Sequence, residues 1–280
     1  MGARRVSVTY WVFVVVLKPA IILVTRRRWR GGEHVPPAGG FVAVANHVTD
    51  LDPLTFGHFL LDHGAPPHFL AKSSLFEVPV VGRMLAAARQ IPVYRGTTRA
   101  GESLVAAERA LQEGRCVAMF PEGTLTRDPD LWPMTGRSGA ARLALTTRVP
   151  VLPVAQWGAH RVLPRYSVLP RPVPRKEVVV VAGPPVDLDD LYGRPLQPSV
   201  LDEATDRIMA AVTEQLAQIR GETPPARAYD LRRDGDPVAG ENSWAGRRAA
   251  GREGRTVRRS LRTRVRDALL ERARRALRRR

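Results

Sequence analysis

Between residues 40 and 183, short runs of β-branched and small apolar residues take turns with longer stretches whose apolar residues recur at helical spacing. Few folds satisfy such an alternation. Strand candidates fall at 41–45, 68–71, 90–94, 116–120, 149–155 and 177–182, with helical candidates at 53–62, 80–88, 99–113 and 138–147 between them. The pattern predicts an α/β fold in which helices flank a central, largely parallel sheet. One further helix is expected over 202–220, where Ile208, Met209, Val212, Leu216 and Ile219 share a face. No internal repeat or dinucleotide-binding glycine fingerprint interrupts this scheme.

The two ends of the chain differ from its middle. Residues 6–24 are nearly continuous apolar sequence, broken by Lys18-Pro19 and bordered by Arg4-Arg5 and Arg26-Arg27-Arg28. As a helix this stretch would reach about 28 Å, close to the hydrocarbon thickness of a bilayer. A single span with the positive side cytoplasmic is one reading. A helix lying in the interface and snorkelling its cations suits Lys18 and Pro19 better, and a buried core helix is the plainest alternative. From Ala226 onward 18 arginines face 7 acidic residues, +11 of the net +17, which leaves 26 basic against 20 acidic residues before it. Apolar periodicity is lost after Pro224-Pro225, as in a linker. It returns with Val257, Leu261, Val265, Leu269, Ala273 and Leu277, so the end reads either as a basic amphipathic helix on an anionic surface or as a solvated tail. The single cysteine, Cys116, excludes an internal disulfide framework and a cysteine-based zinc cluster, fits a reducing compartment, and sits in a strand-like run as a core thiol.

Three polar segments stand at expected strand ends, where α/β sheets place their chemistry. In Asn46-His47-Val48-Thr49-Asp50-Leu51-Asp52-Pro53, Asp52 is expected to cap the next helix, with Pro53 at its favoured first position. A turn there would bring the Asp52 carboxylate to one nitrogen of His47 and leave the other to take a proton from an alcohol. Phe120-Pro121-Glu122-Gly123-Thr124 supplies a glycine for close approach, with Glu122 and Thr124 as partners for a polar ligand. Arg95, after the strand at 90–94, offers a planar donor fork for phosphate. The remaining histidines (34, 58, 63, 68 and 160) lack metal-ligand spacing, and no metal is expected.

The ordered set resembles the 1-acyl-sn-glycerol-3-phosphate acyltransferase family over residues 31–183. His47 and Asp52 match its His-x4-Asp motif, Arg95 the arginine of its second motif, and Phe120 to Thr124 its third. Val151-Leu152-Pro153-Val154 matches the fourth, and Lys72, Pro79 and Gly82 the segment between the first two. Two positions depart from the family: Tyr94, where many members carry an acidic or amide residue, and Leu125, where many carry arginine. Arg127, Arg137 and Arg83 are candidates to replace that arginine.

The resemblance implies that His47 and Asp52 are catalytic, that Arg95, Glu122, Gly123 and Thr124 bind the acceptor, and that the fourth motif is an apolar strand. The implied reaction moves an acyl group from acyl-CoA or acyl carrier protein to the hydroxyl of 1-acylglycerol 3-phosphate, with no cofactor. The expected organisation is a membrane-associated segment at 1–30, an acyltransferase domain at 31–223 and an arginine-rich tail at 224–280. Expected partners are the lipid acceptor, the thioester donor and an anionic membrane surface on the cytoplasmic face, with no nucleic acid. Another lysophospholipid, glycerol 3-phosphate or a glycolipid precursor as acceptor stays open, as does a non-catalytic basic membrane or nucleic-acid binder.

Overall fold

The structure is a computed structural model and describes residues 8–94 and 100–236. In chain order it forms α1 (Val8–Val24), β1 (Thr25–Arg30), β2 (Phe41–Ala45), α2 (Asp52–Asp62), β3 (Pro67–Lys72), α3 (Val81–Ala87) and β4 (Ile91–Val93). There follow α4 (Ala100–Gln112), β5 (Cys116–Met119), α5 (Gly139–Thr147), β6 (Val151–Trp157), α6 (Ala159–Val162), β7 (Lys176–Ala182) and α7 (Pro198–Arg220). The strands make one seven-stranded sheet in the order β1-β7-β6-β2-β5-β3-β4. All pairings are parallel except β6 with β7.

Alternation along the strands divides the core between the two faces of the sheet. Val42, Val44, Val117 and Met119 point to one side, where they pack with Leu143, Ile208 and Val212 of α5 and α7. Phe41, Ala43, Ala45 and Ala118 point to the other, against Phe56, Phe59 and Leu60 of α2. Each central strand is therefore buried on both faces and reads as an unbroken apolar run. Cys116 lies in this core as expected.

Several boundaries differ from the sequence reading. The sheet begins at Thr25, inside the segment assigned to 1–30, because β1 pairs along β7 in register from Thr25 with Lys176 to Arg30 with Val181. The folded body also continues past the expected 223/224 boundary. Thr135 donates its backbone N–H to the Tyr229 carbonyl at 2.9 Å and its hydroxyl to Asp230 at 3.0 Å. The basic helix expected over 256–280 lies outside the described residues.

Among the described residues no helix is long and apolar enough to cross a membrane. Lys18 does not snorkel away from α1 but pairs with Asp62 at the end of α2 at 2.5 Å. Asp62 also accepts from Trp29 Nε1 at 2.9 Å and Arg27 at 3.2 Å. His58 beside it is pushed down to about 4 by burial, so at neutral pH the ring takes Arg27 as a hydrogen-bond partner at 3.0 Å rather than forming an ion pair with Asp62.

Candidate active site

Strands β2 and β5 are neighbours and parallel, with Val44 opposite Met119, so the chain leaves both at the same edge of the sheet. His47 follows the first and Phe120 the second, which brings two expected motifs together across 75 residues of sequence.

The loop from His47 to Asp52 is closed by one oxygen. Asp52 Oδ2 accepts the backbone N–H of Val48 at 2.5 Å and of Thr49 at 2.7 Å, and lies 3.1 Å from His47 Nδ1. Asp52 is thus the first residue of α2 rather than its cap; Leu51 holds the cap position, with Pro53 in the first turn. The carboxylate turns back to the loop because the N–H groups of 48 and 49 would otherwise be buried without acceptors. With Nδ1–H donating to Asp52, the His47 lone pair resides on Nε2. The ring lies flat on Phe120, centroids 4.0 Å apart and planes within 17°. Phe120 in turn packs against Phe56 and Phe69. Asp52 is buried and His47 keeps 15% of its side chain open to solvent.

Glu122 is enclosed and braces this loop. Its Oε1 accepts the backbone N–H of His47 at 2.8 Å and its Oε2 that of Met134 at 3.1 Å. Burial pushes its carboxyl up to about 8, the two N–H bonds work against that rise, and Asp52 and Asp128 add to it. Both oxygens face the protein's own backbone, in contrast to the ligand contact expected of them. The His47 carbonyl closes the arrangement by accepting from Thr126 N–H at 2.7 Å.

Gly123 follows with a φ of +74°, and Thr124 beside it is half-buried. A Cβ on Gly123 would fall 2.7 Å from Nε of Arg137, so that guanidinium lies against the glycine where a longer residue would displace it. Of the three candidate replacements for the motif arginine, Arg127 is buried and gives one nitrogen to the Leu125 carbonyl and the Tyr166 hydroxyl. Arg83 is exposed on α3, and Arg137 is exposed beside Gly123. Leu125 is buried. Lys72 ends β3 opposite Val93, the last residue of β4. Arg95, two residues beyond, lies outside the described residues.

The sequence reading missed a buried amide pair beneath the histidine. Asn46 Nδ2 donates to the Gln156 carbonyl at 3.0 Å, Gln156 N–H donates to Asn46 Oδ1 at 2.8 Å, and Gln156 Nε2 reaches the Asn46 carbonyl at 3.2 Å. Gln156 Oε1 accepts from Thr55 of α2 at 2.7 Å. Two amides without apolar function at the ends of apolar strands, next to His47 and after the fourth motif, were the available signal.

A partly open imidazole with a fixed tautomer, a carboxylate behind it and an arginine beside a bare glycine can deprotonate a hydroxyl and hold an anion nearby. Residues 26–157 match the family model described as Acyltransferase. The match takes in 132 of the chain's 280 residues, and over this stretch, which carries His47, Asp52 and Phe120 to Thr124, the chain is similar to that acyltransferase family. Among its relatives is a 1-acyl-sn-glycerol-3-phosphate acyltransferase of Borreliella burgdorferi, 32% identical over 131 residues, 46% of this chain and 50% of that protein. Another, from Bacillus subtilis, is 29% identical over 45% of this chain and 60% of its own. The chain thus spans only part of the length of the relatives it matches. In fold it is similar to the solved 1-acyl-sn-glycerophosphate acyltransferase of Thermotoga maritima, with a TM-score of 0.56, covering 77% of this chain and 81% of that one at 22% identity.

Proposed function

We propose that this chain transfers a fatty acyl group from a thioester donor, acyl-CoA or acyl carrier protein, to the free hydroxyl of 1-acylglycerol 3-phosphate, giving phosphatidic acid. The observation that carries the reading is the His47–Asp52 pair set against the Phe120 to Thr124 loop. Nε2 of His47 takes the hydroxyl proton as the oxygen bonds to the thioester carbon, and Asp52 holds the ring and stabilises the imidazolium. Collapse of the tetrahedral intermediate breaks the C–S bond, and the thiolate leaves with the proton that His47 returns. The acyl carrier is a substrate, and the reaction consumes no cofactor and needs no metal.

Glu122 acts as a positioning residue, because its two oxygens fix the backbone of His47 and Met134. Gly123 and Thr124 border the acceptor, and Arg137, with Arg95, takes its phosphate. Arg137 fills the part that an arginine at 125 plays in many members, since Leu125 is buried and Arg127 is occupied. The acceptor being a lipid, the protein works at an anionic membrane on the cytoplasmic face, held there by α1 and by the basic tail.

The test is purified protein with radiolabelled acyl-CoA and a panel of acceptors: 1-acylglycerol 3-phosphate, glycerol 3-phosphate, a neutral lysophospholipid and a glycolipid precursor. Label should pass to 1-acylglycerol 3-phosphate, and His47→Ala should lower turnover by about 10² to 10⁴ while remaining folded. Transfer to none of them, or near-normal turnover by folded His47→Ala, would sink the reading.

A further inference from the structure

The segment joining β6 to β7 presents apolar side chains to solvent although its backbone is tied down. Val168, Leu169 and Val173 are 69%, 74% and 83% exposed. Leu169 N–H is held by Ser167 Oγ at 3.1 Å, Ser167 N–H by the Pro164 carbonyl at 2.9 Å, and Arg171 N–H returns to the Val162 carbonyl at 2.6 Å. Pro164, Pro170, Pro172 and Pro174 stiffen it further. A tethered, proline-stiffened loop that still exposes three branched apolar residues has paid to order a surface that water does not favour.

Both ends of the segment are fastened to elements already described. On one side the Thr49 hydroxyl donates to the Leu163 carbonyl at 2.5 Å, and Arg165 donates to the carbonyls of Thr126 and Asp128, each at 2.9 Å. These are the loops that carry His47 and follow Glu122. On the other side one nitrogen of Arg175 donates to the carbonyls of Ile22 and Thr25, each at 2.7 Å, at the end of α1. Leu23, next to Ile22 at this end of α1, is exposed as well. The segment is thus a strut between the apolar helix and the histidine loop.

Its charge selects the partner. From Gly158 to Lys176 there is no acidic residue, against Arg161, Arg165, Arg171, Arg175 and Lys176. Arg161 and Arg171 are exposed beside the apolar tips. Apolar side chains interleaved with unopposed cations are complementary to the headgroup–acyl boundary of an anionic bilayer.

We propose that residues 163–175 are a second bilayer-contact element, in which Val168, Leu169 and Val173 enter that boundary while Arg161 and Arg171 meet lipid phosphates. Fastened at both ends, the strut ties the depth of α1 in the bilayer to the loop of His47. The proposal rests on the lipid-acyltransferase reading only for its purpose, and binding can be measured without turnover.

In the full chain, the triple variant Val168→Ser, Leu169→Ser, Val173→Ser should lose at least about tenfold in partition onto vesicles of phosphatidylcholine and phosphatidylglycerol in equal parts. Its melting temperature should not move, because the three side chains are exposed. Arg161→Gln with Arg171→Gln should weaken binding to those vesicles by about ten- to thirtyfold at low salt and leave pure phosphatidylcholine vesicles unaffected. Leu169→Cys carrying an environment-sensitive dye, with Cys116 buried and unreactive, should shift to the blue when vesicles are added. An unchanged partition constant in the triple variant, or no dye response, overturns the proposal. So does an unchanged constant accompanied by loss of self-association in sedimentation, which would make the face a contact between copies. Failure of the transferase reading is seen separately, as absence of acyl transfer to detergent-dispersed acceptor by the wild-type chain.

Discussion

Replacing Glu122 with Gln changes one acceptor oxygen into a donor and almost nothing else. In the wild type both oxygens receive backbone N–H groups, from His47 at 2.8 Å and from Met134 at 3.1 Å. A glutamine oxygen serves one of them, and its amide NH₂ confronts the other. A buried N–H left without an acceptor costs about 1–3 kcal/mol. For a body of this size, where each kcal/mol moves the melting point by about 2–4 °C, calorimetry should show a loss of a few degrees or more. The pH dependence carries a second signature. Since burial raises this carboxyl from 4.5 to about 8, folding favours its protonated form. That contribution is complete below about 4.5 and is lost as pH climbs through about 8, at up to about 1.4 kcal/mol per pH unit. Glutamine does not titrate, so the stability gap between wild type and variant should narrow over this window. In steady-state kinetics a shifted His47 backbone should cut kcat by about ten- to a hundredfold with little change in acceptor KM. A raised acceptor KM at unchanged kcat would refute the positioning argument and make Glu122 a ligand contact.

Arg137→Gln should raise the acceptor KM by about tenfold and leave the donor KM and the melting temperature unmoved; a change in the donor KM alone would reassign the residue to the acyl carrier. Asp62→Asn strips Lys18 and Arg27 of their shared carboxylate, at a cost of about 1–3 kcal/mol, and hydrogen exchange should show α1 loosening before the sheet does. Removing residues 237–280, with 15 arginines against 4 acidic residues, should weaken binding to anionic vesicles and flatten its salt dependence. Turnover on detergent-dispersed acceptor should persist in that truncation.

What the sequence disclosed about the fold was whatever local pattern could carry. β2 and β5 announce themselves because a strand buried on both faces is apolar throughout. β1 does not: Thr-Arg-Arg-Arg-Trp-Arg is an arginine-rich edge strand without an apolar run, and its register is supplied by β7, about 150 residues away. Lys18 read as a cation snorkelling from an interfacial helix because its partner, Asp62, is 44 residues distant. The His47–Asp52 pairing was legible from spacing, since a short turn joins them. The enclosure of Glu122 was not, because its partners are backbone N–H groups, which every non-proline residue has, and no side-chain motif marks which two will be used.

That difference in distance has a consequence for the order in which the protein is made. The histidine and its aspartate leave the ribosome within a few residues of each other, but Glu122 emerges 75 residues after His47, about 4–15 s later at ordinary elongation rates. Gln156, which pairs with Asn46, comes 110 residues after it. Until both have arrived and the sheet has closed, the histidine loop lacks the contacts that fix its backbone. On the proposed transferase reading, a nascent chain should be inert toward acyl thioesters, with chemistry beginning only once the sheet is finished.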